Sequence, residues 1–346
     1  MSSCKTLIRS SVSFVEYRAF IPNSTFLRYL PLHSGLRFKS HKTFSISRSF
    51  CCVSCASSLQ TPELPQFSNK DNVEELLSKN KDDVLRLMKL ERRSENDHEH
   101  GSRWFPYLNR FKTGDGYLSS TEVLEAMDPY IMDVRKEKFR NAVINRTYSV
   151  CLVVEGLTDF GNVSAAFRSA DALGFQSVHV VSCGNSRRYR DNRHVSMGAE
   201  KWLDIELWGS VKECFGILKS RGYRIATTHL GIDAVSVYDI DWSWPTAIIV
   251  GNELKGISAE ALELSDLHCS IPMRGMVDSF NVSVAAGLVM HQAVLDRTLR
   301  MGCHGDLTEE ERQILLAEFY LRHSNSALSI ANEFAARKLT RTMSKL

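Results

Sequence analysis

Short apolar runs of strand length alternate with helix-length stretches through the C-terminal half of the chain. Residues 150–154 (VCLVV), 178–181 (VHVV), 224–228 (RIATT), 247–250 (AIIV) and 268–271 (HCSI) read as strands. Mostly apolar runs of this length are what parallel strands covered on both faces look like. Residues 163–173, 211–220, 259–264 and 282–299 read as the helices between and after them. The fold class predicted is α/β, a parallel sheet with helices on both faces. The last helix opens VSVAAGLVM, apolar on nearly every side. A helix of that kind must be covered all round, by the sheet or by a second subunit.

The flanks read differently. Residues 118–146 are helical in pattern and carry Arg135, Lys136, Lys138, Arg140 and Arg146, either a solvated face or a surface for phosphates. Residues 59–100 are polar, with short helices at 72–77 and 82–90, and 91–102 has the composition of a linker. The tail, 308–341, is amphipathic and ends basic, with Arg337, Lys338, Arg341 and Lys345. This gives four segments: 1–58, 59–146 as linker and helical flank, 147–300 as core, and 301–346 as helical tail.

Composition changes the picture mainly at the N-terminus. The first 58 residues hold 14 Ser, eight Lys or Arg, and one acid, Glu16. An Arg- and Ser-rich, acid-poor start reads as an organellar transit peptide, and the stretch 48–56 (RSFCCVSCA) favours a chloroplast over a mitochondrion. Without that leader, 35 basic residues stand against 39 acidic ones, so overall charge gives no support for nucleic-acid binding. Any such contact rests on local patches. Residues 187–194 (RRYRDNRH) are one: Arg187, Arg188, Arg190 and Arg193 can grip phosphates while Tyr189 stacks on a base, unless this is merely a soluble loop. Four of the nine cysteines fall in the leader and the other five are scattered without zinc-like spacing, so no metal is expected. No apolar run approaches the roughly 18 residues of a membrane span.

Candidate chemistry sits in three loops that follow strands. No G-x-G-x-x-G follows the first strand and no Walker loop occurs, which excludes the usual dinucleotide and triphosphate cradles. Residues 162–174 (NVSAAFRSADALG) place Asn162 as a helix N-cap. They also put Arg168 in a helix otherwise small and apolar, where a guanidinium needs an anion such as phosphate. Residues 251–256 (GNELKG) pair a tight-turning Gly251 with Glu253, which is either a solvated loop residue or a functional carboxylate. Residues 271–283 (IPMRGMVDSFNVS) bring Ser279 and Asn281 to a helix entrance, either as two caps or to orient a hydroxyl, with Phe280 between them.

In this order, across residues 150–299, the three motifs resemble those of the SpoU branch of the SPOUT RNA methyltransferases. Together with residues 226–230 (ATTHL) and the two helical flanks, they resemble the bacterial branch that acts on guanosine 18 of tRNA. The resemblance implies a C-terminal trefoil knot, a homodimer, and transfer of a methyl group from S-adenosylmethionine to a ribose 2′-hydroxyl. It assigns Asn162, Arg168, Glu253, Ser279 and Asn281 to the reacting site, with Arg168 as base or phosphate clamp. Leu230, Val250, Gly251, Ile271 and Phe280 are assigned to the methyl donor. A sulfonium is already a good leaving group, so the chemistry needs no metal. Two alternatives stay open: the same reaction on organellar ribosomal RNA, and a catalytically idle RNA-binding protein on the same fold.

Overall fold

The computed structural model describes residues 90–92, 103–113, 116–181, 193–324 and 326–343. The expected transit peptide, most of the polar linker, and Arg187, Arg188 and Arg190 lie outside these residues. The core sheet is built from β4 (Val150–Glu155), β5 (Ser177–Val181), β6 (Asp204–Trp208), β7 (Arg224–Thr228), β8 (Val235–Ser236), β9 (Thr246–Val250) and β10 (Leu267–Ser270). The strands lie in the order β6-β5-β4-β9-β7-β10-β8, and every neighbouring pair is parallel. This is the fold class expected.

Side-chain alternation explains why the runs are apolar throughout. In β4, Val150, Leu152 and Val154 point to one face, where α3 (Phe160–Ala172) and α7 (Val282–Met301) pack. Cys151 and Val153 point to the other, under α5 (Val211–Ser220) and α6 (Ala259–Leu264). Strand β9 divides in the same way, Ile248 and Val250 against Ala247 and Ile249. With both faces covered, neither can be polar.

Helix α7 is covered on one face by the sheet side of its own chain. Ala286, Val289, Met290 and Ala293 are buried against the core, but Val284, Leu288, Leu295 and Leu299 are exposed. Those four fall on one side of the helix at spacings of four and seven. The apolar start is therefore two-faced, and within one chain only one face is covered.

The two flanks share a single hydrophobic core. A three-stranded antiparallel sheet of β1 (Leu90–Arg92), β2 (Tyr107–Thr113) and β3 (Gly116–Leu118) packs with α1 (Ser120–Met127), α2 (Asp133–Ile144), α8 (Glu309–His323) and α9 (Ala327–Met343). Tyr107, Phe111, Val123, Phe139, Leu315 and Phe319 are buried together there. The single helix expected over 118–146 is interrupted by a 3-10 turn at Asp128–Tyr130, where Pro129 has no N–H to continue the ladder. Most of its cations are engaged internally. Lys136 is buried against Asp128 at 2.7 Å and Asp133 at 3.2 Å. Arg146 is buried, pairs with Asp171 and donates to the Phe175 carbonyl at 2.8 Å. Arg135 packs 4.8 Å from the centre of the Phe139 ring. Lys136 and Arg146 are therefore unavailable to solvent or to phosphates, and Lys138 and Arg140 remain on the exposed side of this flank.

Arg297, fully buried on α7, ties the flank to the core. It donates to Asp306 at 2.7 Å and to the Trp242 carbonyl at 3.2 Å, while Thr147 also donates to Asp306. Removing one member of a buried charge pair strands the other. Arg297→Ala is thus expected to lower stability by about 3–5 kcal/mol, measured by urea denaturation. A change below about 0.5 kcal/mol, the range of ordinary surface substitutions, would contradict this role.

Candidate active site

Strand order fixes where a site can form. From β4 the chain adds β5 and β6 outward on one side, and the other side is built from β9, β7 and β10. The order therefore reverses between β4 and β9, and in open parallel sheets ligands collect outside the carboxyl ends of the strands at that point. The loops leaving β4, β9, β7 and β10 there contain all three motifs.

The N-cap of α3 is Asp159, not Asn162. The Asp159 carboxylate accepts from the N–H groups of Gly161 (2.6 Å) and Asn162 (3.4 Å). An aspartate caps as well as an asparagine, so the side chain of Asn162 is released for long-range contacts. Its Nδ2 donates to Glu253 Oε1 at 3.2 Å, and its Oδ1 accepts from Asn281 Nδ2 at 3.0 Å. One chain of hydrogen bonds thus joins the three motifs across 119 residues of sequence.

Chemistry fixes the polarity of that chain. Asn281 caps α7, its Oδ1 accepting from the Ser283 N–H at 2.9 Å, so its NH2 group is left to donate to Asn162. The amide of Asn162 must then point its own NH2 at Glu253, because a carboxylate can only accept. Thr158 donates through its N–H and its hydroxyl to Glu253 Oε2, each at 3.4 Å. Burial raises the Glu253 carboxyl, but hydrogen bonds from its own backbone, Asn162 and Thr158 outweigh this and hold it below the usual value. Any stability that Glu253 contributes is complete above the ordinary carboxylate value and is lost as pH falls through the lowered one.

Loop 251–256 is shaped by two residues. A Cβ on Gly251 would lie 2.7 Å from the backbone of Gly256, so the glycine is needed for close approach. Asn252 exchanges backbone hydrogen bonds with Gly256 (3.0 and 2.9 Å), and its Oδ1 accepts from the N–H groups of Leu254 and Lys255 at 2.9 Å. Its Nδ2 donates to the Gly156 carbonyl at 2.6 Å, pinning this loop to the one after β4. Asn252→Asp keeps the acceptor and loses that donor. It is expected to weaken binding of the methyl donor that the sequence resemblance implies by about threefold to tenfold, the worth of one such bond; titration calorimetry giving an unchanged constant would mean that Asn252 does not shape the donor loop.

The remaining candidates spread around this centre. Val250 is buried, so only its backbone can face a ligand; Ile271 is partly buried, and Leu230 and Phe280 are 62% and 42% exposed. Ser279 lies exposed two residues before Asn281, outside the hydrogen-bonded chain. Arg168 is also outside it. Contrary to the apolar surroundings expected, it occupies the exposed side of α3, with Nη1 3.5 Å from the Val195 carbonyl. Val195 belongs to α4 (Arg193–Ser196), the short helix opened by the last of the four predicted RNA-binding arginines. Sequence reading missed Thr158, Asp159 and Asn252. A signal existed for two of them: an Asp at the strand-to-helix turn, and an Asn in a glycine-bounded loop.

Among the described residues, no group of three or more His, Cys, Asp or Glu could hold a metal ion. Burial pushes the Cys269 thiol up to about 12. No described helix is long and apolar enough to cross a membrane.

A parallel sheet whose polar loops meet at a reversal of strand order is the frame of a ligand-binding or group-transfer enzyme. Comparison with known proteins supplies the class: the chain belongs to the SpoU rRNA methylase family, whose model matches residues 149–291. It is 39% identical over 160 residues to the tRNA (guanosine(18)-2'-O)-methyltransferase of Escherichia coli (strain K12), covering 45% of this chain and 69% of that protein. Against the enzyme of the same name from Aquifex aeolicus (strain VF5), identity is 30% over 194 residues, 56% of this chain and 92% of the other. The crystal structure of the A. aeolicus TrmH/SpoU tRNA modifying enzyme matches with a TM-score of 0.51, covering 55% of this chain and 97% of that one.

Proposed function

We propose that this RNA methyltransferase moves the methyl group of S-adenosylmethionine to the ribose 2′-oxygen of guanosine 18 in tRNA. The single observation that carries the site is the chain Asn281–Asn162–Glu253, which joins all three motifs at the strand ends. The target is supported by the two relatives, both named for that nucleotide. A plastid destination, from the composition of residues 1–58, belongs to the same proposal. So does the family's knot.

The loops fit such a donor. Exposed apolar Leu230 and Phe280 offer surfaces for an adenosyl group, and Gly251 keeps its loop without a side chain where two backbones meet. When bound, the donor supplies an electrophilic methyl carbon and a neutral thioether leaving group. The chain's own contribution is alignment, since placing the 2′-oxygen in line with that carbon accounts for much of the rate; the hydroxyl's proton passes to water as the carbon–oxygen bond forms and the carbon–sulfur bond breaks. Asn162 and Asn281, with their amides oriented by Glu253 and Ser283, hold the loops that bound the reacting atoms. Arg168 is assigned the role of clamp on an RNA phosphate, because a guanidinium stays protonated in water and cannot readily accept a proton. The exposed stripe Val284, Leu288, Leu295 and Leu299 supports a homodimer built on α7.

The chemistry is tested by incubating labelled S-adenosylmethionine, protein and RNA, then cleaving the RNA with alkali. A 2′-O-methyl group blocks cleavage at its own phosphate, so label is expected in dinucleotides. Label released as mononucleotides would mean base methylation. No label, with RNA still bound, would favour the idle RNA-binding reading.

A further inference from the structure

The loop after β7 is compact in a way that the proposed chemistry does not use. It runs from His229, whose N–H donates to the Cys269 carbonyl at 2.8 Å, to Ala234, whose N–H donates to the Gly231 carbonyl at 3.1 Å. A Cβ on Gly231 would lie 2.5 Å from Asp233 Oδ1 and 2.6 Å from the His229 ring. The loop therefore folds back over His229, presenting Leu230 outward and Asp233 toward β10. There Asp233 Oδ2 lies 2.5 Å from Nδ1 of His268.

The second nitrogen of His268 decides the chemistry. Its Nε2 lies 3.2 Å from the Leu262 carbonyl oxygen at the end of α6. Both partners are acceptors, one a carboxylate and the other a backbone carbonyl. A neutral imidazole carries one N–H and can satisfy only one of them; both bonds require the doubly protonated ring. The titratable groups facing the ring are Asp233 and His229, the latter with its ring centre 5.6 Å away. Neighbouring β7 presents Thr227, which is level with His268, and α6 presents the Leu262 carbonyl. The surroundings agree in direction: the hydrogen bond to Asp233 and then that to Leu262 hold the His268 pKa above its ordinary value, and the same bond holds Asp233 below its own.

We infer that His268 and Asp233 are positioning residues for the methyl-donor loop, with a doubly protonated His268 bridging α6 and Asp233 so that Leu230 keeps its outward pose. The inference rests on the proposed donor role of Leu230. A histidine whose folded pKa is raised holds its partner fully below its unfolded value near 6.5, and loses it as pH rises through the folded value. The bridge should therefore be complete in mildly acidic solution and open in alkaline solution. His268→Asn supplies an amide donor in place of Nδ1 and cannot titrate.

The test has two parts, both on the full-length protein. Ring-nitrogen chemical shifts of the donor-free protein at pH 6.5 should show His268 more than half doubly protonated. Calorimetry with S-adenosylhomocysteine at pH 6.5 and 9.0 should show parent binding weakening by about twofold to fivefold more than His268→Asn binding, the range of an exposed ion pair. Comparing parent with variant cancels the titration of the ligand's own amine. A neutral His268 at pH 6.5, or identical pH dependence in parent and variant, would overturn the inference while leaving the donor site intact. No binding to the parent at either pH would overturn the donor site itself, and the inference with it.

Discussion

Arg168→Ala should cut methyl transfer by about a hundredfold to a thousandfold, the effect of removing one charged group that holds the transition state, and leave donor binding within a factor of about two, since Arg168 is assigned to no donor contact. The reasoning starts from place. Arg168 is exposed, stands outside the Asn281–Asn162–Glu253 chain, and touches α4 through the Val195 carbonyl. Nothing in that contact calls for a guanidinium, so its charge is available to the RNA. Arg168→Lys separates the two roles considered for it. As a clamp, lysine keeps the charge but loses the two-pronged geometry, and about a tenth of the activity should survive. As a base, the more easily deprotonated lysine should gain relative rate at alkaline pH. An alanine variant with full activity would remove Arg168 from the site.

The second large effect is expected at Glu253. Glu253→Gln preserves shape but replaces one carboxylate oxygen with an NH2 group, in a position where Asn162 and Thr158 already donate. Either amide orientation turns at least one of these donors toward another donor. Leaving a polar group facing its own kind costs about 1–3 kcal/mol. Transfer should fall by about tenfold to a hundredfold, the rate equivalent of that cost. Because Asn162 and Asn281 act through the same chain, adding Asn281→Ala to Glu253→Gln should cost much less than the two single losses combined. Steady-state rates of the four proteins in this cycle would show it; additive losses would mean that the chain does not act as a unit.

How much of this was legible in the sequence depended on burial and distance. Strands β4, β5 and β9 were readable because both of their faces are covered and neither can be polar. Strand β6 was not, because Asp204 and Glu206 interrupt it; each is spent on a partner outside the strand, Arg322 and Arg221, 118 and 15 residues on. Strand β8 has only two residues, too few to make a pattern. Ion pairing also hid two cations of the basic flank: Lys136 and Arg146 look free in sequence, but in the fold Lys136 is buried against nearby Asp128 and Asp133, and Arg146 against Asp171, 25 residues on. At the site, all three motif loops were identified as loops after strands, but local pattern placed the cap of α3 three residues late, at Asn162 instead of Asp159. That difference matters, since an Asn162 committed to capping could not bridge Glu253 and Asn281. Their meeting depends on the order of parallel strands, which no short-range period encodes, and only the family resemblance pointed to it.

The most direct measurement is labelled methyl transfer by the full-length protein to three RNAs: an organellar tRNA transcript with guanosine at position 18, the same tRNA already 2′-O-methylated there, and ribosomal RNA. Label in the first RNA alone is the expected result and would establish reaction and target together. Equal label in the first two would place the reaction at another nucleotide, and label confined to ribosomal RNA would contradict the tRNA assignment while keeping the enzyme in its family.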